Sequence, residues 1–106
     1  MKKNRKKQLE KFSYLLDIMD NLRENCPWDK EQTFKTLKNL TIEETYELSE
    51  AIISNNFEEI KNELGDLLLH IIFYSKIASE KNKFDISDVI SGISEKLIRS
   101  HPHVFD

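Results

Sequence analysis

Residues 41–66 read TIEETYELSEAIISNNFEEIKNELGD, and the spacing of the acids in this stretch decides how the chain is to be read. Glu43, Glu44 and Glu47 come before the turn-forming run Ser54-Asn55-Asn56, and Glu63 and Asp66 come after it. Residues three or four apart share a helix face, so two helices would let Glu44 converge with Glu47, and Glu63 with Asp66. At about 100° per residue, Glu44 and Glu47 fall in the arc that also holds Leu37, Leu40, Leu48 and Ala51, the arc expected to turn towards a core. An ionised acid facing a core needs a partner charge or a metal, and few fixed cations lie near these four. Hard oxygen ligands in such a group suit Mg²⁺, with Mn²⁺ as a substitute, since such ions complete their shells with water and ligand oxygens.

Outward from this stretch the chain reads as helices. Residues 41–54 form one, with Thr41 and Glu44 fitting a capping box, and residues 57–81 form the next, capped by Asn56 with Glu59. From Leu67 to Phe73 the latter is apolar around nearly its whole circumference, as expected of a helix buried on all sides. A chain of this size cannot enclose such a helix alone, so a homo-oligomer, a dimer or a tetramer, is expected. Gly65 costs roughly 1 kcal/mol in a helix interior and lets a backbone or a ligand come close. His70, one turn after Asp66, is either a hydrogen-bonded core residue or a ligand contact.

Upstream, Leu9, Phe12, Leu15, Leu16, Met19 and Leu22 give a helical stripe over residues 6–24, which Pro27 interrupts. Asp29 with Gln32 reads as a capping pair opening a short helix, and Trp28 beside it is either a lid on the core or a stacking platform. Downstream, Asp85 opens a helix carrying Phe84, Ile86, Val89, Ile90, Ile93 and Leu97 and ending near Ser100, with Lys96 and Arg99 placed to favour its dipole. His101-Pro102-His103 reads as a helix stop. The fold class is therefore all-α, a four-helix-type bundle in one domain over residues 1–106; the end at Asp106 would also suit one half of a longer, two-domain parent.

Composition narrows the chemistry. With 2 Gly in 106 residues there is no Gly-rich phosphate cradle, so phosphate recognition has to pass through a metal or through Lys and Arg. A net charge of −3 gives no general pull towards nucleic acid, and no apolar run is long enough to span a membrane. The basic residues 2–7 are followed by Gln8, Glu10 and Lys11 where a signal peptide needs an apolar run, and the single Cys26 cannot form an internal disulfide. Both point to the cytoplasm. A di-iron bundle would want Glu-x-x-His repeats, and these are Glu-x-x-Glu and Glu-x-x-Asp.

Glu43-Glu44-Thr45-Tyr46-Glu47 followed by Glu63-Leu64-Gly65-Asp66 resembles the E-E-x-x-E…E-x-x-D signature of MazG-type nucleoside triphosphate pyrophosphohydrolases. The stretches CPWDKEQT (26–33) and HPHVF (101–105) are similar to those of bacterial members, in the same order. The resemblance implies a MazG-like oligomer that uses Mg²⁺ to hydrolyse a nucleoside triphosphate between its α and β phosphates, giving the monophosphate and pyrophosphate. It implies Glu44, Glu47, Glu63 and Asp66 as metal ligands and Glu43 as the acid that supports them or orients water. Trp28 would stack on the base, His70 would touch the sugar, and Lys96 and Arg99 would meet the phosphates. Ser100 stands where family members often carry a second arginine. The alternative is a non-catalytic nucleotide-sensing or oligomerisation module of the same fold.

Overall fold

The computed structural model describes residues 2–105, so Asp106, on which the reading of a longer parent rested, lies outside the described residues. After a 3-10 turn, Lys2–Asn4, the described residues form α1 (Arg5–Asn25), α2 (Pro27–Glu31), α3 (Phe34–Ile53), α4 (Phe57–Glu80), α5 (Ile86–Ser100) and α6 (Pro102–Phe105), with no strand among them. Local chemistry sets most of these boundaries. α1 stops where Cys26 turns extended, φ −96° and ψ 120°, the conformation the following proline favours. Pro27 then opens α2 from the first helical position, where its missing N–H costs nothing. The expected Asp29–Gln32 cap does not form: Asp29 lies inside α2, and Gln32 closes it while its Nε2 donates to the Trp28 carbonyl at 2.8 Å.

α3 begins well before Thr41. Thr33 Oγ1 accepts from the Thr36 backbone N–H at 3.2 Å, and Thr36 Oγ1 accepts from the Thr33 backbone N–H at 2.8 Å, a capping box with threonine in the place usually taken by Glu or Gln. Thr41 is thus mid-helix rather than a cap, and Glu44 is freed from capping duty. The α3–α4 turn closes through Asn55 at φ 55°, a left-handed position that asparagine tolerates better than most residues. Asn56 Oδ1 then accepts from the Glu59 N–H at 3.2 Å, as expected, and Asp85 with Asp88 forms the box that opens α5. His101 leaves the helix, but Pro102 starts one more turn, α6, beyond the expected stop.

The α3–α4 hairpin carries the most extensive contact in the chain, and α1 lies against α4. Met19 of α1, Leu37 of α3 and Ile72, Phe73 and Ile77 of α4 form the buried core, flanked by Phe12, Leu15, Leu16, Leu69 and Tyr74. Each of those five side chains contributes on the order of 1.5 to 3 kcal/mol by leaving water. The apolar segment of α4 is only partly enclosed, since Ile72 and Phe73 are buried while Leu68 and Ile71 stay exposed. α5 buries no residue at all: Val89, Ile90, Ile93 and Leu97 are exposed, and the helix touches only α4 and α6. The radius of gyration, 16.0 Å, exceeds the roughly 13 Å of a compact chain this long.

One guanidinium ties α1, α2 and α4 together. Arg23, whose side chain is 14% exposed, grips Glu80 through Nε at 2.9 Å and Nη2 at 3.0 Å. Its Nη1 donates to the carbonyls of Asp29, Lys30 and Gln32 at 2.6, 2.9 and 2.9 Å, meeting acceptors that the end of a helix leaves open. Arg23→Ala is therefore expected to cost about 2 to 3 kcal/mol in urea unfolding, and Arg23→Lys to recover little of it, because an ammonium lacks the fork. An unchanged midpoint in Arg23→Ala would show that α2 docks without the clamp.

Candidate active site

Across the α3–α4 seam, ligand oxygens of Glu44, Glu63 and Asp66 lie within 4.8 Å of one another. Glu44 comes from the middle of α3, and Glu63 and Asp66 come from one face of α4, so the site exists only while the hairpin is packed. Glu44 and Glu63 are half-buried and Asp66 is exposed. Glu47 does not turn into the core as its place in the apolar arc suggested; it is exposed at the rim, outside the grouped oxygens, and acts on Glu63 through its charge. Glu43 is exposed and is not one of the grouped carboxylates, as expected for neighbours in sequence, which point to different sides of a helix.

No ion pair among the described residues involves these acids; the three ion pairs there join Arg23 to Glu80, Lys61 to Glu58 and Lys76 to Asp20. Like charges therefore act on one another unopposed. Burial first, then hydrogen bonds with Glu44 and Glu47, push the Glu63 carboxyl up to about 7. Burial also raises Glu44, partly offset by its hydrogen bond with Glu63 and reinforced by the charges of Asp66 and Glu47. Both shifts favour the protonated form of these two carboxyls. Two oxygens, Glu44 Oε2 and Glu63 Oε2, are buried with no hydrogen-bond partner, an arrangement that costs free energy unless a proton or a cation meets them. The donor set, all carboxylate oxygen, fits a hard divalent cation. An open cleft of about 450 Å³ beside Glu47 and Glu63 is walled also by Glu50 and Glu59, so a polyanion entering it needs counter-charge.

Towards the other end of α4 the seam carries aromatic and polar side chains. Trp28 sets its edge on Phe73, ring centroids 6.5 Å apart at 73°, while 55% of the residue stays exposed, so it covers the core and still offers a face. Phe34 stacks flat on Tyr74 at 5.4 Å and 11°. Buried His70 bonds through Nδ1 to Thr41 Oγ1 at 2.7 Å, and the same hydroxyl meets the Tyr74 hydroxyl. Burial lowers the His70 pKa, with the charge of Asp66 pulling it partly back. Thr41, Phe34 and Arg23 were not singled out from the sequence; the first is disguised as a cap and the others act across helices. Lys96 and Arg99 are exposed on α5, which makes no contact with α3, and among the described residues neither forms an ion pair with these carboxylates. His101 and His103 lie 5.6 Å apart, outside the one acid group found among the described residues.

Helices that gather carboxylates across one hairpin seam, beside an aromatic shelf, define an all-α fold built around an acidic centre. Residues 32–105 match the MazG nucleotide pyrophosphohydrolase domain, and the chain belongs to that family. It is 48% identical over 100 residues to a nucleoside triphosphate pyrophosphohydrolase of Escherichia coli, and 52% identical over 96 residues to the nucleoside triphosphate pyrophosphohydrolase/pyrophosphatase MazG of Thermotoga maritima. These alignments take in 92% and 89% of the chain, and it spans 38% of each relative's length. A crystal structure of a mazG-related protein from Thermotoga maritima superposes with a TM-score of 0.77 at 26% identity, covering 88% of this chain and 82% of that one.

The raised Glu63 pKa fixes a sign. A carboxyl whose folded value lies near 7, above the ordinary 4.5, favours the fold below about 4.5, and that contribution is lost as pH rises through 7. Without added cation, thermal stability is expected to fall between pH 5.5 and 8 (roughly, the span of this titration), and millimolar Mg²⁺ to restore more at pH 8 than at pH 6. Glu63→Gln should flatten both responses. A Mg²⁺ effect equal at the two pH values would disconnect the ion from this group.

Proposed function

We propose that the chain hydrolyses a nucleoside triphosphate to the monophosphate and pyrophosphate in a Mg²⁺-dependent reaction, at the acidic centre between α3 and α4. The observation that carries this reading is the pair of partnerless buried oxygens on Glu44 and Glu63, beside Asp66, in a family whose relatives bear the name nucleoside triphosphate pyrophosphohydrolase. Glu44, Glu63 and Asp66 would hold the cation, with Glu47 closing the rim. The ion would neutralise phosphate charge, polarise the α-phosphorus and lower the pKa of the attacking water. Glu47, exposed at the rim beside Glu63, would orient that water, which leaves Glu43, on the neighbouring side of α3, at most a supporting charge. Trp28 offers its open face to the base.

Lys96 and Arg99 would steady the charge moving onto the leaving pyrophosphate. With α5 out of contact with α3 and its face Val89, Ile90, Ile93 and Leu97 uncovered, a second copy would bury that face and would take these cations to its own acidic centre. The working unit in this reading is a homo-oligomer, a dimer or tetramer, acting in the cytoplasm. The non-catalytic sensing module would keep nucleotide binding without turnover.

A panel of nucleoside triphosphates with Mg²⁺, following pyrophosphate and inorganic phosphate separately, decides between them: release of pyrophosphate is expected, and binding without release would leave the sensing module. Glu47→Gln should abolish turnover while the fold survives. Arg99→Ala should lower kcat/KM several-fold to a hundredfold, about 1 to 3 kcal/mol for one charge-assisted contact, and Ser100→Arg should lower KM. Sedimentation of the wild type should give a species heavier than one chain. Mixed oligomers of Glu63→Gln subunits, inactive alone, and Arg99→Ala subunits, weakened alone, should exceed the activity of either parent, since each mixed pair holds one intact shared site; no gain on mixing would return α5 to its own chain.

A further inference from the structure

We propose that Thr41 and Tyr74 are positioning residues that hold His70 with Nε2 as a bare hydrogen-bond acceptor, so that the site selects a substrate bearing a sugar hydroxyl at that point. The inference rests on the nucleotide reading above and deepens it. Thr41 Oγ1 has three neighbours: the Leu37 carbonyl at 3.1 Å, His70 Nδ1 at 2.7 Å and the Tyr74 hydroxyl. A hydroxyl offers one proton and two lone pairs. The carbonyl can only accept, so it takes the Thr41 proton, the back-bond that threonine commonly makes within a helix. The other two neighbours then have to donate, Tyr74 through its O–H and His70 through Nδ1–H. No other assignment satisfies all three contacts at once.

That assignment decides what His70 presents. With the proton on Nδ1, a neutral imidazole carries an unshared pair on Nε2, and burial favours the neutral ring. Nε2 has no partner among the described residues. It is also absent from the buried side-chain atoms lacking a partner, which are Glu44 Oε2 and Glu63 Oε2, so the residual 8% exposure of His70 includes this nitrogen. Its place along α4 names the complement. Asp66 lies one turn to one side, about 6 Å along the axis, and Phe73 and Tyr74, on which Trp28 and Phe34 rest, begin the next turn. In any nucleotide the sugar lies between phosphate and base. A nucleotide with phosphates at the acids and base at Trp28 sets its sugar against His70, and a bare acceptor there asks for a hydroxyl donor.

Long-range ¹H–¹⁵N NMR of the imidazole, on the whole chain without nucleotide, reads the first half directly. Nδ1–H is expected in the wild type and in Thr41→Ser, with a shift to Nε2–H in Thr41→Val; an Nε2–H wild type, or a tautomer indifferent to Thr41→Val and Tyr74→Phe, overturns the proposal. Ribonucleoside triphosphates compared with their 2′-deoxy and 3′-deoxy analogues read the second half. One analogue should lose about three- to tenfold in kcat/KM, the scale of a single hydrogen bond, and the loss should vanish in Thr41→Val and His70→Phe but persist in Thr41→Ser. Equal rates for all three sugars in the wild type would sink the sugar assignment and leave Nε2 to water. Should no nucleotide be hydrolysed, the function proposed above fails, and calorimetric binding of the same analogues, with the NMR result, still decides this one: equal affinities reject it. Circular dichroism of Thr41→Ser and Tyr74→Phe separates these effects from loss of fold.

Discussion

Acids pressed together across the α3–α4 seam, with no lysine or arginine among the described residues paired to them, set the terms for the rest of the molecule. The repulsion works against the packing that brings the two helices together, and Leu37, Ile72, Phe73 and Ile77 supply the opposing apolar gain a few turns away. A proton relieves the conflict at the cost of coordinating capacity, and a divalent cation relieves it while creating a binding surface for phosphates. The hairpin is thus held in a state that an added positive charge completes.

A second constraint follows from chain length. The six α-helices of the described residues leave α5 in contact with α4 and α6 alone, with its apolar face open and its cations in no ion pair with the acids. In the proposed oligomer assembly would be coupled to chemistry: the same contact that hides Ile90 and Ile93 would carry Arg99 to a neighbour's phosphates. The expectation of an oligomer drew on α4 alone, where Leu68 and Ile71 do stay exposed, yet the larger uncovered face belongs to α5. Its i, i+3, i+4 stripe was visible in the sequence and was read only as the mark of a helix.

Where a feature depends on residues near one another in the chain, it was legible. The all-α class, the Asn56 cap, the opening of α5 at Asp85 and the pairing of Glu63 with Asp66 all follow from local spacing. The start of α3 was missed because Thr36 does the work usually given to Glu or Gln, and Thr41 offered a decoy. Glu47 was placed inward because an apolar arc fixes a side of the helix to within a residue or so, while the packing of α4 fixes which edge of that arc stays wet. The Arg23 clamp joins positions 23 and 80, and the Thr41–His70–Tyr74 network joins two helices; neither leaves a periodic trace.

Trp28 carries a consequence of another kind. It is the single tryptophan of the chain, one edge resting on Phe73 of the helix that bears Glu63 and Asp66, its face open to water, and its short helix held by Arg23. Indole emission follows the polarity of its surroundings, so the protein contains its own optical probe at the point where α1, α2 and α4 meet. A base stacked there, as proposed, would quench it and a released α2 would shift it to the red, separable signals from one chromophore that need no label.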